Sequence, residues 1–205
     1  MTIDDKSFVL SNKNYVSIES QKTRIVLAHT FTNDMRHFIG WTHRYNGLCK
    51  NTAPFTISKS GQIYKHYEPS FSGKLLKTYE LNMSCIVVLL ENEGWLIKDS
   101  DKNEFITWMG DIYKEPNIVV EKRWRGCNYW APYTKEQLYS ATELVKSLCA
   151  QFNIPLSVVS HNTKLENFSA YKGVFYKSNI EKHYTDLNPT WEFEIFKTKI
   201  ETNEK

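Results

Sequence analysis

Long hydrophobic runs are missing from this chain of 205 residues. The longest apolar stretch, Cys85–Leu90, falls far short of the ~20 residues that a membrane span needs. Neither sign of charge dominates. Lys and Arg number 26 against 23 Asp and Glu, and a net +3 is too weak to argue for nucleic acid by charge alone. Cysteine is sparse: Cys49, Cys85, Cys127 and Cys149 are widely spaced, with no C-x-x-C pair, and read as free thiols rather than a disulfide framework. No repeat or low-complexity tract is present, which excludes solenoids and collagen-like chains. The polar, early-acidic stretch from Met1 to Asn14 does not fit a secretory signal, so the expectation is a soluble protein made in the cytosol. What is present is 41% hydrophobic and 14% aromatic content, enough to build the core of one domain.

Periodicity then places the elements. Residues 1–22 are polar and read as a frayed or loosely docked lead-in to a domain over 23–200. Arg24–Ala28 reads as a buried strand delivering His29 at its end. Thr32-Asn33-Asp34 can cap a helix carrying Met35, Phe38, Ile39 and Trp41, stopped at Asn46-Gly47. Phe55–Ile57 and Gln62–Tyr67 flank Ser60-Gly61, a hairpin signal. Cys85–Leu90 is apolar on both faces and belongs at the centre of a sheet. Residues 97–132 look irregular and read as an insertion. Thr134, with Gln137 three positions on, opens a helix whose apolar positions recur at helical spacing to Phe152 and which ends at Ile154-Pro155. Val158-Val159 is a short strand before His161, a long loop leads to Asp186, and Pro189–Phe196 reads as a closing helix opened by its proline. The fold class expected is α/β, a single domain with a mixed central sheet flanked by helices.

Six histidines are present, and four of them (His37, His43, His66 and His183) read as surface or half-buried residues. His29 and His161 differ because each directly follows an apolar strand, where loops leave a rigid scaffold. Asp186 lies on a loop that could fold back to join them. Two imidazoles and a carboxylate are a donor set that suits zinc.

At this point the sequence resembles a known family, the zinc-dependent N-acetylmuramoyl-L-alanine amidases, whose fold is shared with peptidoglycan-recognition proteins and amidase-type phage lysozymes. The matching pieces come in the family's order: IVLAHT (25–30), PFTISKSGQIY (54–64), SCIVVLLENEGWL (84–96), YTKEQL (133–138), VVSHN (158–162) and TDLNP (185–189). The resemblance implies Zn2+ held by His29, His161 and Asp186. It also implies peptidoglycan as substrate, with hydrolysis of the amide between N-acetylmuramic acid and L-alanine by a phage-type or cell-wall lytic enzyme. Neither nucleic acid nor a membrane is an expected partner.

The departures are specific. The family's usual glutamate aligns with Val88, and its lysine two residues before the third ligand aligns with Tyr184. Tyr184 and Glu91 are therefore the candidate catalytic residues, although Glu91 lies three positions past Val88 and should face the other side of a regular strand. Lys74 aligns roughly with a substrate-side histidine of relatives, and Trp124 and Trp130, in a segment rich in cations and aromatics, are candidates for contact with the glycan. Two rival readings remain. One is a peptidoglycan-binding module that no longer cuts, and the other is an interaction protein reusing the fold.

Overall fold

The computed structural model describes residues 1–168 and 170–202. Strands β1 (Ile3–Asp4), β2 (Arg24–His29), β3 (Phe55–Ile57), β4 (Ile63–Lys65) and β5 (Cys85–Leu90) join β10 (Gly173–Tyr176) in one sheet of order β1-β4-β3-β5-β2-β10. All neighbours run parallel except the β3–β4 hairpin, where Gly61 adopts a φ of +83° that favours glycine. β2 and β5 are wholly buried, as expected of parallel strands covered on both faces.

Alternation along these strands divides the core into two layers. Ile25 and Leu27 of β2 and Ile86, Val88 and Leu90 of β5 pack against α3 (Lys135–Phe152) and α4 (Phe193–Glu201). Val26, Ala28, Val87 and Leu89 pack on the other side, with Trp41 of α1 (Arg36–His43) and Leu81 of α2 (Tyr79–Ser84). His29 continues the α3 side, in register with Leu90. α3 carries the expected capping box between Thr134 and Gln137 and buries Leu138, Ala141, Leu144, Val145 and Leu148.

Several expectations are corrected. The lead-in is docked: β1 pairs with β4, the Asn14 amide lies within 3.3 Å of the Trp41, Gly47 and Cys49 carbonyls, and the buried Lys22 ammonium donates to Ser72 Oγ and Met83 O. Its polarity is spent on the protein instead of on solvent. α1 has no side-chain cap from Thr32, Asn33 or Asp34. The backbone is left-handed at Met35, whose N–H donates to Glu91 Oε1 at 2.7 Å, so a carboxylate from another element takes over the cap's task.

Residues 97–132 are not irregular. With Trp95 and Leu96 they form a four-stranded antiparallel sheet of β6 (Trp95–Asp99), β7 (Glu104–Thr107), β8 (Val120–Trp124) and β9 (Cys127–Trp130), in the order β7-β6-β9-β8. Arg125 and Gly126, both at positive φ, make the two-residue turn between paired Trp124 and Cys127. β10 lies in what reads as a loop, and α4 starts at Phe193 instead of near Pro189. Asn188 Oδ1 accepts from both the N–H and hydroxyl of Thr190, an Asx-type turn that delays the helix. Among the described residues no helix is long and apolar enough to cross a membrane.

The α1 side holds the buried His66 and the half-buried His37, whose Nε2 atoms lie 2.9 and 3.0 Å from the same Thr56 hydroxyl. Burial lowers their pKa values from 6.5 to about 4 and about 3. In the unfolded chain both would bind protons near 6.5, so their contribution to stability is full above that pH and is lost as pH falls toward the folded values. We expect the denaturant midpoint to fall between pH 6.5 and 4 while the ring signals of His37 and His66 stay neutral in NMR spectra of the folded protein. Titration of either ring near 6.5 would contradict this.

Candidate functional site

Two of the three expected metal donors meet at the end of β2. His29 closes the strand at 3% exposure, and Asp186, on the loop between β10 and α4, is fully buried. Asp186 Oδ1 accepts the His29 backbone N–H at 3.0 Å and lies 3.5 Å from His29 Nε2. The other ring nitrogen, Nδ1, is 3.0 Å from the hydroxyl of Tyr133, just ahead of α3. Two amides hold the loop in place. Asn188 Nδ2 donates to Asn92 Oδ1 and to Ala131 O, and Asn92 Nδ2 donates to the Ala131 and Pro132 carbonyls. Each is fully buried, so each bond saved from loss to solvent tightens the geometry. Gly94, at φ +79°, leaves open the edge of the imidazole: a Cβ there would lie 3.2 Å from both His29 Cε1 and Nε2.

His161 stands apart from this pair. Its ring stacks on Phe193 with centroids 3.7 Å apart and leans on Trp124 at 5.0 Å. The strand expected before it is reduced to a single bridge between Val158 and Val174. Arg125, at the β8–β9 turn, lies over the Trp124 ring and donates to the carbonyls of Ser178, Glu181, Lys182 and Tyr184. One guanidinium thus ties the second sheet to the loop carrying Asp186. Lys177 adds a second cation, with Nζ 3.9 Å from Asp186 Oδ2 and 4.6 Å from the centre of the Tyr184 ring.

The donor set can be tested against zinc. His29 Nε2, His161 Nε2 and Asp186 Oδ2 are all buried without a hydrogen-bond partner, a costly state for polar atoms unless something else satisfies them. Zinc bonds of ~2.0–2.2 Å at tetrahedral angles set neighbouring donors about 3.3–3.6 Å apart. The 3.5 Å between His29 Nε2 and Asp186 Oδ1, the oxygen that also accepts the His29 N–H, matches that edge. Burial holds both imidazoles in the neutral form that ligates: it lowers the pKa of His29, and that of His161 to about 4, the latter with help from Arg125 and Lys122. Even so, no three His, Cys, Asp or Glu donors are gathered closely enough to hold an ion among the described residues. The His29–Asp186 edge fits zinc, whereas His161, stacked on Phe193, does not join it here, which corrects the expected three-donor set.

The remaining candidates separate. Glu91 stays on the α1 side, as strand alternation requires, and its carboxylate accepts from the Met35 and Lys59 backbone N–H groups; it is a structural acceptor and does not face His29. Burial raises its pKa. Trp130 is fully buried, with Nε1 donating to Lys122 O, so its faces are closed to a glycan. Trp124 is half-buried beside His161, its Nε1 donating to Asn162 Oδ1 at 2.7 Å. Lys74 is exposed before α2, and its side chain has no hydrogen bond or ion pair among the described residues. Tyr184 packs against the α1-side core and presents its ring face to Lys177. Val88 is buried in the α3-side core, so that face of β5 carries no carboxylate. Sequence reasoning missed Tyr133, Gly94, Lys177 and Arg125. Arg125 was seen only as part of a basic, aromatic segment, which gives no local signal for its role.

Comparison with known proteins gives concordant results. A family model described as N-acetylmuramoyl-L-alanine amidase matches residues 19–173. No curated protein sequence matches. Among solved structures, the chain is similar to N-acetylmuramoyl-L-alanine amidase LysC from Clostridium intestinale, at 15% identity over 98% of this chain and 97% of that one, with a TM-score of 0.54. It is similar also to a mutant endolysin from Bacillus subtilis, at 13% identity over 98% and 99% with a TM-score of 0.55. PlyL gives 13% identity over the full length of both chains and the same TM-score, 0.55. At such identities these likenesses speak for the fold.

Proposed function

Because the chain belongs to the N-acetylmuramoyl-L-alanine amidase family, we propose that it hydrolyses the amide between N-acetylmuramic acid and L-alanine in peptidoglycan, as a cell-wall lytic enzyme of the phage endolysin type. The observation that carries this reading is the buried His29–Asp186 pair, with Nε2 3.5 Å from Oδ1 and with Nε2 and the second carboxylate oxygen, Oδ2, left without hydrogen-bond partners. In this reading zinc is held by His29, Asp186 and His161. Bound there, it supplies Lewis-acid polarisation of the scissile carbonyl and acidifies water.

The chain's own residues do the rest. Tyr133 fixes the plane of the His29 ring, and Arg125 holds the Asp186 loop through its four carbonyls. Lys177, seated on the Tyr184 ring, places positive charge next to Asp186, where negative charge develops on the amide oxygen during attack. Tyr184 thus acts by seating that lysine. Trp124 is half-buried with Arg125 over its ring and His161 beside it, so a sugar ring stacking there would have to displace the guanidinium. The oxygen of one water joins the carbonyl carbon as the C–N bond breaks. One of its protons goes to the alanine nitrogen, which leaves as a free amine, and the other is released, so the lactyl group ends as a carboxylate. With Val88 where relatives carry a glutamate, turnover should fall ~10²–10⁴-fold below that of an enzyme with a full general base.

Digestion of purified sacculi tests this. New N-terminal alanine, without new reducing sugar ends, is the expected product. Lys177→Met should lower its release ~10²–10³-fold with zinc content unchanged. The buried Val88 also favours a second reading, a binding module; sacculi that bind the protein and release no alanine would establish that reading instead.

A further inference from the structure

His161 is the donor that stays away from the His29–Asp186 pair, and α4 shows what holds it. Phe193, Lys197 and Glu201 stand four residues apart and share one stripe of that helix. All three reach the segment that carries His161. The Val174 N–H of β10 donates to the Ser157 carbonyl, and the Val174 carbonyl accepts the Val159 N–H. That pairing leaves the N–H and carbonyl of Val158 facing outward, where a further strand would bond them. Side chains of α4 take that strand's place. Glu201 Oε1 accepts the Val158 N–H and Lys197 Nζ donates to the Val158 carbonyl, each at 2.9 Å, with the two charged groups 3.2 Å apart. On the other flank the buried Asn179 amide donates to the Ser160 and Thr163 carbonyls. The backbone on either side of His161 is therefore fixed, and the freedom left is rotation of its side chain.

The ring spends that freedom on a compromise. It lies nearly parallel to Phe193, at 16°, and Tyr176 braces Phe193 edge-on with centroids 4.8 Å apart. Stacking serves the faces of the imidazole but leaves its Nε2 buried without a partner, a state that a ligand for that nitrogen would relieve. We propose that Phe193 is a resting place for the His161 ring, so that stacking there competes with ligation of zinc, while Lys197 and Glu201 keep the backbone in place for both positions of the ring. Phe193 is thus a positioning residue that lowers the affinity of the metal site and holds its third donor in reserve. This inference rests on the zinc reading of the site.

Titration of zinc into the full chain against a competing chelator tests this without turnover. Phe193→Leu, which keeps an apolar contact for Tyr176, should tighten zinc binding roughly two- to tenfold, the scale of one aromatic pair. Phe193→Tyr keeps a ring to stack on and should stay near the wild-type value. Lys197→Met frees the Val158 carbonyl and should weaken zinc severalfold, so general loosening of α4 does not imitate the gain. In a His161→Ala background that gain should vanish. NMR of the wild type stands as the test if Phe193→Leu fails to fold: the His161 ring protons should carry the upfield shift of a stacked ring before zinc is added and lose it at saturation. Affinity unmoved or weakened by Phe193→Leu, a gain that persists without His161, or His161 signals untouched by zinc would overturn the proposal. Release of alanine from sacculi is scored separately. A protein that binds zinc with no gain in Phe193→Leu refutes the competition alone, and one that shows the gain without cutting refutes the enzyme alone. A protein that binds no zinc refutes both.

Discussion

Asp186→Asn should strip the protein of zinc and of peptide release while leaving its fold in place. The amide retains an oxygen that can accept the His29 backbone N–H, now held at 3.0 Å, so the buried donor is not orphaned. What is lost is the charge and the ligating carboxylate. Losing a partner that merely orients a ligand costs ~10–100-fold in metal affinity, and losing a ligand should cost more than that. The check pairs zinc content after dialysis with a denaturant melt. A variant that keeps its zinc and its activity would show that Asp186 is a structural acceptor for β2 and nothing more.

Tyr133→Phe should produce the next largest effect through an atom that touches no substrate. For Nε2 to ligate, Nδ1 must carry the proton and donate it to the Tyr133 oxygen, 3.0 Å away. Removing that oxygen frees the ring to turn and leaves a buried N–H without an acceptor. Zinc affinity should drop ~10–100-fold. Peptide release at saturating zinc should recover substantially, because the residue positions a ligand and does not act on the amide. Unchanged affinity in a competition titration with a chelator would remove Tyr133 from the account.

The physical reasons for what was legible differ element by element. α3 could be read because its signals are local: a cap, its reciprocal partner at Gln137 and a buried apolar face at helical spacing all lie within one segment. β5 could be read because a strand apolar on both faces has one home, the middle of a covered sheet. The second sheet could not, since β8 is VEKRW, with exposed charges on an outer strand that mask its alternation. α1 misled because its capping acceptor is Glu91, fifty-six positions away, and local pattern is blind to that. The site divides in the same way. His29 and Asp186 were nameable from the family's motifs, and they meet across 157 positions. Arg125 was not, because all its partners in the loop are backbone carbonyls, which every residue has. Trp130 failed as a glycan contact because an aromatic in a basic segment looks the same in sequence whether it stacks on a ligand or fills the base of a sheet. Here it does the second, at zero exposure.

Zinc titration of chelator-treated protein tests the central claim most directly, with release of N-terminal alanine from sacculi as the readout. The account predicts no release without metal, recovery that saturates at one zinc per chain, and loss of that recovery in His29→Ala and His161→Ala. Release that proceeds equally fast in the chelated protein, or that saturates normally in His161→Ala, would contradict it.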